Sequence, residues 1–147
     1  MAHTYSIGVD IGGTNTDIGL VREDGKIVAR HNIPTNKYFD IEVYLKDIVD
    51  HVKAMMKENE VETIDGIGIC APNGNTYNCT FSGATNLNFK GEFNVQEIVN
   101  KYMDVKVVVS NDANAAAFGE MIYGGGKGMK HLIMFTLGTG VGTGIIV

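Results

Sequence analysis

Residues 5–21 read YSIGVDIGGTNTDIGLV, in which a glycine-rich turn separates two apolar runs. The run over residues 5–10 predicts a buried strand, and the run over residues 18–21 predicts its partner. Gly12 and Gly13 lie between them and permit a tight reversal of the chain. We therefore expect the two strands to pair as a hairpin.

The sequence after this hairpin alternates predicted strands and helices. Asp24 and Gly25 favour a tight turn into a third antiparallel strand over residues 26–33. Asp40 can cap a helix whose apolar side chains recur every three or four residues until Asn59. Further predictions are a strand over 64–70, a long polar loop over 72–91, a short helix from Asn94, a strand over 105–109, a helix over 113–123 and apolar runs over 131–137 and 144–147. This order predicts an α/β fold with a mixed five-stranded sheet and helices on its faces.

Composition excludes several classes of protein. The 147 residues carry a net charge of −5 and are 44% hydrophobic, which suits one substantial core. Without a basic cluster or a long apolar run, we expect neither nucleic acid nor membrane as a partner, and a cytoplasmic location. Cys70 and Cys79 match no metal or disulfide spacing and are interpreted as free thiols.

The first motif that could carry chemistry is the turn Asp10–Asn15. Its paired glycines let backbone N–H groups approach an anion, and the hydroxyl of Thr14 adds a donor. The carboxylate of Asp10 could hold Mg²⁺ through water. An ordinary hairpin turn would use the same residues, so this motif alone leaves both interpretations open.

The second motif, over residues 138–144, reads GTGVGTG between two apolar runs. It departs from the dinucleotide-binding pattern because Thr143 stands where the last glycine would fall and no helix follows. It also lacks the lysine of a P-loop. Taken alone, this motif is better explained as a glycine-rich hairpin.

The third motif, over residues 110–114, reads SNDAN at the predicted junction of a strand and a helix. Ligand sites of open α/β sheets lie at such strand ends. Asp112 could be a helix cap, since aspartate is a preferred capping residue. It could also be a base, because a helix amino terminus favours the ionised carboxylate.

Together, the three motifs resemble those of the ROK family, named for repressors, open reading frames and sugar kinases. The resemblance implies the ribonuclease H-like lobe of actin and hexokinase. It also implies that Asn111 holds a sugar hydroxyl, that Asp112 accepts the proton of the attacking hydroxyl, and that Asp10 lies near Mg²⁺. The implied ligands of the ATP phosphates are Gly12, Gly13, Thr14, Asn15, Gly138, Thr139 and Gly140.

Residues 68–74 resemble the loop of that family that contacts the sugar. Asn73 and Gly74 would be the contacting residues, although Asn73 stands where the family usually has glycine. Asn86 lies in a segment that resembles a second family element, and we interpret it as structural.

The resemblance implies ATP-dependent phosphorylation of the 6-hydroxyl of a hexose, as by a glucokinase. The alternative is a sugar-sensing repressor of the same family without kinase activity, but those repressors carry a helix-turn-helix domain before the first hairpin, which here begins by Tyr5. An actin-like interaction module would not explain the adjacent Asn111 and Asp112.

We also expect a division of the chain into three segments. Residues 1–123 would form the amino-terminal lobe, residues 124–130 a glycine-rich linker, and residues 131–147 the start of a second, nucleotide-binding lobe. The zinc site of the family would lie beyond these residues. We expect the 147-residue chain alone to be inactive, and we expect a homodimer.

Overall fold

The computed structural model describes residues 3–83, 86–137 and 141–147. Three helices are present in this part of the chain: α1 (Ile41–Glu58), α2 (Val95–Asn100) and α3 (Asp112–Tyr123), with a 3₁₀ turn over Thr35–Lys37. The strands are β1 (Tyr5–Ile11), β2 (Asn15–Arg22), β3 (Ile27–Pro34), β4 (Ile67–Cys70), β5 (Thr80–Ser82), β6 (Glu92–Asn94), β7 (Val107–Ser110), β8 (Leu132–Leu137) and β9 (Val141–Ile146).

Five strands form the central sheet in the order β3-β2-β1-β4-β7. The first three strands are antiparallel, and β4 and β7 run parallel to β1. Gly25 makes the predicted turn between β2 and β3, with a positive φ of 85° that glycine adopts without strain. The mixed five-stranded sheet expected from the sequence is confirmed.

Helices α1 and α2 cover one face of this sheet. Alternate residues of the strands point into the core on that face, as in the fully buried Ile18 and Leu20 of β2. Both predicted helix caps are confirmed: the side chain of Asp40 accepts hydrogen bonds at the start of α1, and Asn94 does so at the start of α2. The longest helix is therefore fixed both by its cap and by its buried stripe.

The predicted polar loop over residues 72–91 contains more structure than its composition indicated. Strand β5 lies inside it and pairs with β6 in a separate two-stranded sheet. Phe81 on β5 is fully buried, and its ring lies 5.8 Å from that of Phe93 on β6. The packing of these two aromatic rings, which are far apart in the sequence, explains why local polarity misled the prediction.

Strands β8 and β9 form a hairpin that packs on α3. Gly144 makes this possible, since a Cβ at that position would lie 2.4 Å from the backbone oxygen of Ala113 and 2.7 Å from the Cβ of Ala117. The other face of the hairpin is exposed and apolar, with Phe135 64% accessible to solvent. No helix in the described part of the chain is long and apolar enough to span a membrane.

Candidate functional site

Strands β1, β4 and β7 are parallel, so their carboxyl ends meet at one edge of the sheet. The register aligns Asp10 with Cys70 and Cys70 with Ser110, in one row across the three strands. The Gly12–Asn15 turn, the loop after Cys70 and the Asn111–Asn114 segment therefore emerge at the same edge. Ligand sites of open α/β sheets occupy this position.

The Gly12–Asn15 turn is a tight hairpin with unused donors. The N–H of Gly12 donates to the backbone oxygen of Asn15 at 3.0 Å. A Cβ at Gly13 would lie 2.9 Å from both the oxygen and the Nδ2 of Asn86. Within the described residues, the backbone N–H groups of Gly13 and Thr14 donate to no protein acceptor. The turn can therefore present two backbone donors to an anion.

Asn86 thus supports the glycine turn, a contact that its position in the sequence did not reveal. Its backbone oxygen and its side chain both lie against Gly13. Any side chain at position 13 would displace Asn86 or the turn. The interpretation of Asn86 as structural agrees with this contact.

Asn111, rather than Asp112, caps helix α3. Its Oδ1 accepts a hydrogen bond from the N–H of Asn114 at 2.8 Å. Asp112 is the first residue of the helix, and its Oδ1 accepts from the N–H of Ala113 at 2.9 Å. The alternative that Asp112 is the cap is therefore wrong. Its exposed carboxylate lies in the first turn of the helix.

The capping role leaves one end of the Asn111 amide available. Its oxygen is used by the helix, whereas its Nδ2 makes no hydrogen bond to other described residues. An amide nitrogen in this state can donate to a hydroxyl oxygen of a ligand. Capping by Asn111 and sugar binding by Asn111 are therefore compatible.

The turn after β4 is pressed against the end of β7. The N–H of Gly74 donates to the oxygen of Ala71 at 3.0 Å. A Cβ on Gly74 would lie only 2.3 Å from the backbone oxygen of Ser110. Asn73 has a positive φ of 58°, a conformation that glycine and asparagine adopt most readily. Asn73 can thus replace the glycine usual in the resembling family, and the turn lies beside Asn111.

Three acidic side chains interact electrostatically at this edge. Burial raises the pKa of Asp10 above its usual value, and the negative charges of Asp17 and Asp112 raise it further. Burial likewise raises the pKa of the Cys70 thiol to about 11, with smaller contributions from Asp10 and Asp112. Cys70 is therefore a neutral thiol near neutral pH and not a nucleophile.

Asp17 is a residue that the motif analysis missed. It lies directly opposite Asp10 in the antiparallel pairing of β1 with β2, and Asn32 donates to its Oδ1 at 3.0 Å. Both carboxylates border a hollow of about 350 Å³ on the sheet face opposite α1, which Cys70 also lines. The alternation of side chains along a predicted hairpin could have indicated this pair.

The described residues contain no group of three or more His, Cys, Asp or Glu side chains that could hold a metal ion directly. Asp10, with Asp17 opposite, offers carboxylate oxygens of the kind that Mg²⁺ prefers, and Mg²⁺ commonly keeps several waters. Binding through water at Asp10 fits these donors. The other expected phosphate ligands, Gly138, Thr139 and Gly140, lie outside the described residues.

Comparison with known protein sequences identifies a family and several relatives. Residues 6–147 match the model of the ROK family. The chain is 41% identical over 142 residues to a glucokinase of Streptomyces coelicolor, covering 97% of this chain and 43% of that protein. It is 29% identical over 146 residues to a xylose repressor of Bacillus subtilis, covering 97% of this chain and 37% of the repressor.

The fold of this chain also matches that of a solved structure. It is a ROK family glucokinase from Streptomyces griseus in complex with glucose and AMPPNP, and it superposes with a TM-score of 0.75 at 36% sequence identity. The match covers 97% of this chain and 44% of that one. The chain therefore spans less than half the length of these relatives.

Proposed function

This chain belongs to the ROK family, and we propose that it forms the sugar-binding part of an ATP-dependent hexose kinase of glucokinase type. One observation carries the proposal: the unused backbone donors of Gly13 and Thr14 lie on the same sheet edge as the carboxylate of Asp112. Such an edge can bring a phosphate and a hydroxyl together. The similarity to a glucokinase of Streptomyces coelicolor supports the choice of chemistry.

The proposed nucleophile is the 6-hydroxyl of the hexose. Its oxygen attacks the γ-phosphorus of ATP, the bond from that phosphorus to the bridging oxygen breaks, and ADP leaves. Asp112 accepts the hydroxyl proton, which requires an ionised carboxylate within hydrogen-bond reach. The loose transition state of phosphoryl transfer depends more on positioning than on early deprotonation, so a weak base suffices.

The remaining site residues hold the two substrates. Nδ2 of Asn111 donates to a sugar hydroxyl, and the turn at Asn73 and Gly74 lies on the same side of the site. The turn Gly12–Asn15 binds phosphate oxygens through backbone N–H groups, as expected also of residues 138–140 from the second motif. Asp10 would hold Mg²⁺ through water, and a bound ion would supply charge neutralisation at the phosphates.

Each of the three segments of the chain has its own proposed role. Residues 1–123 would form the amino-terminal lobe that binds sugar and phosphate, residues 124–130 a linker, and residues 131–147 the first part of the second lobe. ATP as the phosphate donor is supported by the AMPPNP bound to the Streptomyces griseus glucokinase, and glucose by the sugar in the same complex.

A second candidate function is that of a sugar-sensing repressor without kinase activity. The observation in its favour is the 29% identity to a xylose repressor, which covers 97% of this chain. A repressor needs the sugar contacts at Asn111 but has no use for a base at position 112. Catalysis therefore distinguishes the two candidates.

The test is a coupled assay of ADP release by the full-length protein, run with Mg²⁺ against a panel of hexoses and hexosamines. We expect turnover with at least one hexose, and the product should be a 6-phosphate by NMR. A protein that binds a hexose in calorimetry but releases no ADP above the sugar-free rate would favour the repressor. The panel also identifies the sugar.

A further inference from the structure

Three buried hydroxyl groups form a hydrogen-bonded chain next to the Gly12–Asn15 turn. They belong to Thr16 on β2, Thr35 in the 3₁₀ turn and Tyr44 on α1, and none of the three residues is more than 2% exposed. Oγ1 of Thr16 lies 2.7 Å from Oγ1 of Thr35 and 2.5 Å from the phenol oxygen of Tyr44. We call these three groups the hydroxyl chain.

The hydroxyl chain is not required to fill space. Valine and phenylalanine would occupy nearly the same volume without burying oxygen atoms, which carry a desolvation cost unless they are hydrogen-bonded. Here each hydroxyl finds its partner within the chain. Such a satisfied polar network fixes one geometry, because a shifted arrangement would leave a buried oxygen without a partner.

The geometry that the hydroxyl chain fixes is that of the glycine turn. The last residue pair of the β1–β2 hairpin is Ile11 with Thr16, so Thr16 is the first residue after the turn. Thr35 holds the turn a second time, because its backbone N–H donates to the oxygen of Thr14 at 2.8 Å. The side-chain hydroxyls of the two threonines are also hydrogen-bonded to each other.

Tyr44 connects this arrangement to a rigid element. It lies in the first turn of α1, where its N–H donates to the oxygen of Asp40, the helix cap. Its ring stacks on Phe89 at a centroid distance of 5.1 Å and also contacts Tyr38. The phenol oxygen is thus held in place from α1 and from the aromatic cluster.

We propose that Tyr44, acting through Thr16 and Thr35, is a positioning residue that holds the Gly12–Asn15 turn in the conformation that binds phosphate. The inference rests on the proposed kinase function. It predicts an effect confined to the nucleotide, because the sugar-side groups at Asn111 and Gly74 are attached to other strands. Loss of one hydroxyl loosens the Gly12–Asn15 turn but removes no group that contacts either substrate.

The test compares matched variants of the full-length protein. Tyr44→Phe and Thr35→Val each remove one hydroxyl of the chain. Tyr38→Phe removes a hydroxyl from the same aromatic cluster, one that donates to Asp47 instead, and Thr35→Ser keeps the hydroxyl. We expect the KM for ATP to rise about two- to tenfold in the first two variants, the range for one buried hydrogen bond. The KM for sugar should stay near the wild-type value in all four variants. In the two control variants the KM for ATP should also stay near the wild-type value.

Hydrogen exchange of the peptide over residues 9–17 gives a readout that does not depend on activity. We expect faster exchange in Tyr44→Phe than in Tyr38→Phe at equal melting temperature. A wild-type protein without kinase activity would refute the proposed function, and the exchange rates would then decide the positioning role alone. Equal exchange in these two variants, or equal changes in the KM for ATP and for sugar, would overturn the inference.

Discussion

Asp112 is the side chain on which the proposed reaction depends most. Asp112→Asn keeps the shape of the residue and removes the base, so kcat of the full-length protein should fall at least ~10²-fold. The KM for sugar should change far less, because Asn111 remains. Asp65→Asn is a matched control, since Asp65 is exposed and lies just before the amino end of β4, at the opposite edge of the sheet. Steady-state kinetics of both variants decide the role of Asp112, and near-normal turnover of Asp112→Asn would remove it from the mechanism.

Asp10 makes the stability of the fold depend on pH. The pKa of Asp10 is raised in the folded state, so its contribution to stability is fully present below the unfolded value and is lost as pH rises through the folded pKa. Asp17→Asn removes one of the charges that raise this pKa. The variant should therefore melt about 1–4 °C higher than wild type near pH 7, and the difference should shrink below about pH 4.

Thermal melts of Asp17→Asn across this pH range provide the measurement. Asp104→Asn is the control, because Asp104 is exposed and precedes the amino end of β7, whereas Asp10 lies at the carboxyl end of β1. Asparagine at position 17 can still accept the hydrogen bond from Asn32, so the comparison isolates the charge. A variant that is no more stable than wild type at neutral pH would show that the repulsion is screened.

The turn after β4 is held by contact with β7 and not by its own sequence. Gly74→Ala should cost about 1–3 kcal/mol, since the new Cβ would meet the oxygen of Ser110 at 2.3 Å. The KM for sugar should also rise, because the same turn lies beside Asn111. Gly119→Ala is the opposite case, because no atom lies within 4 Å of the Cβ that alanine would add. In a helix interior alanine is more stable than glycine by about 1 kcal/mol.

Chemical denaturation measures both glycine variants. The free energy of unfolding should fall for Gly74→Ala and rise for Gly119→Ala. If the two substitutions change stability by the same amount, the turn tolerates a side chain. The close approach of Gly74 to Ser110 would then not constrain the site.

The exposed face of the β8–β9 hairpin determines how the 147-residue chain behaves in solution. Ile133, Phe135 and Ile145 are each at least 60% exposed on that face. Unpaired apolar strands are templates for pairing with another copy, so we expect the chain to form a dimer at least. Phe135→Lys should give the monomer mass of 15.9 kDa by light scattering.

Substitution is a sharper test of association than removal of the hairpin. Removal would also expose Ala113 and Ala117 of α3, which Gly144 contacts. Phe118→Lys is the control, because Phe118 is 57% exposed on α3 and not on the hairpin. Association that survives Phe135→Lys but not Phe118→Lys would assign the interface to the helix.

The 147-residue chain alone should show no measurable kinase activity. It spans 43% of a related glucokinase, and kinases with two lobes require closure over both substrates to exclude water. We expect affinity for ATP no better than millimolar, or about −4 kcal/mol. Calorimetry that yields a micromolar constant would show that these residues hold more of the nucleotide site than we propose.

The sequence by itself determined the features that depend on neighbouring residues. The caps Asp40 and Asn94, the turn at Gly25 and the amphipathic stripe of α1 follow from local hydrogen bonding and from the helical period. The three motifs were also recognisable, because each is a contiguous run. The order of the predicted strands and helices also indicated the mixed sheet.

Only the tertiary structure decided which distant residues meet. The parallel register places Asp10, Cys70 and Ser110 in one row, and the antiparallel register places Asp17 opposite Asp10. The contact of Asn86 with Gly13 also depends on the packed chain. Such contacts are set by strand register and by packing, which join segments far apart in sequence and which local preferences do not specify.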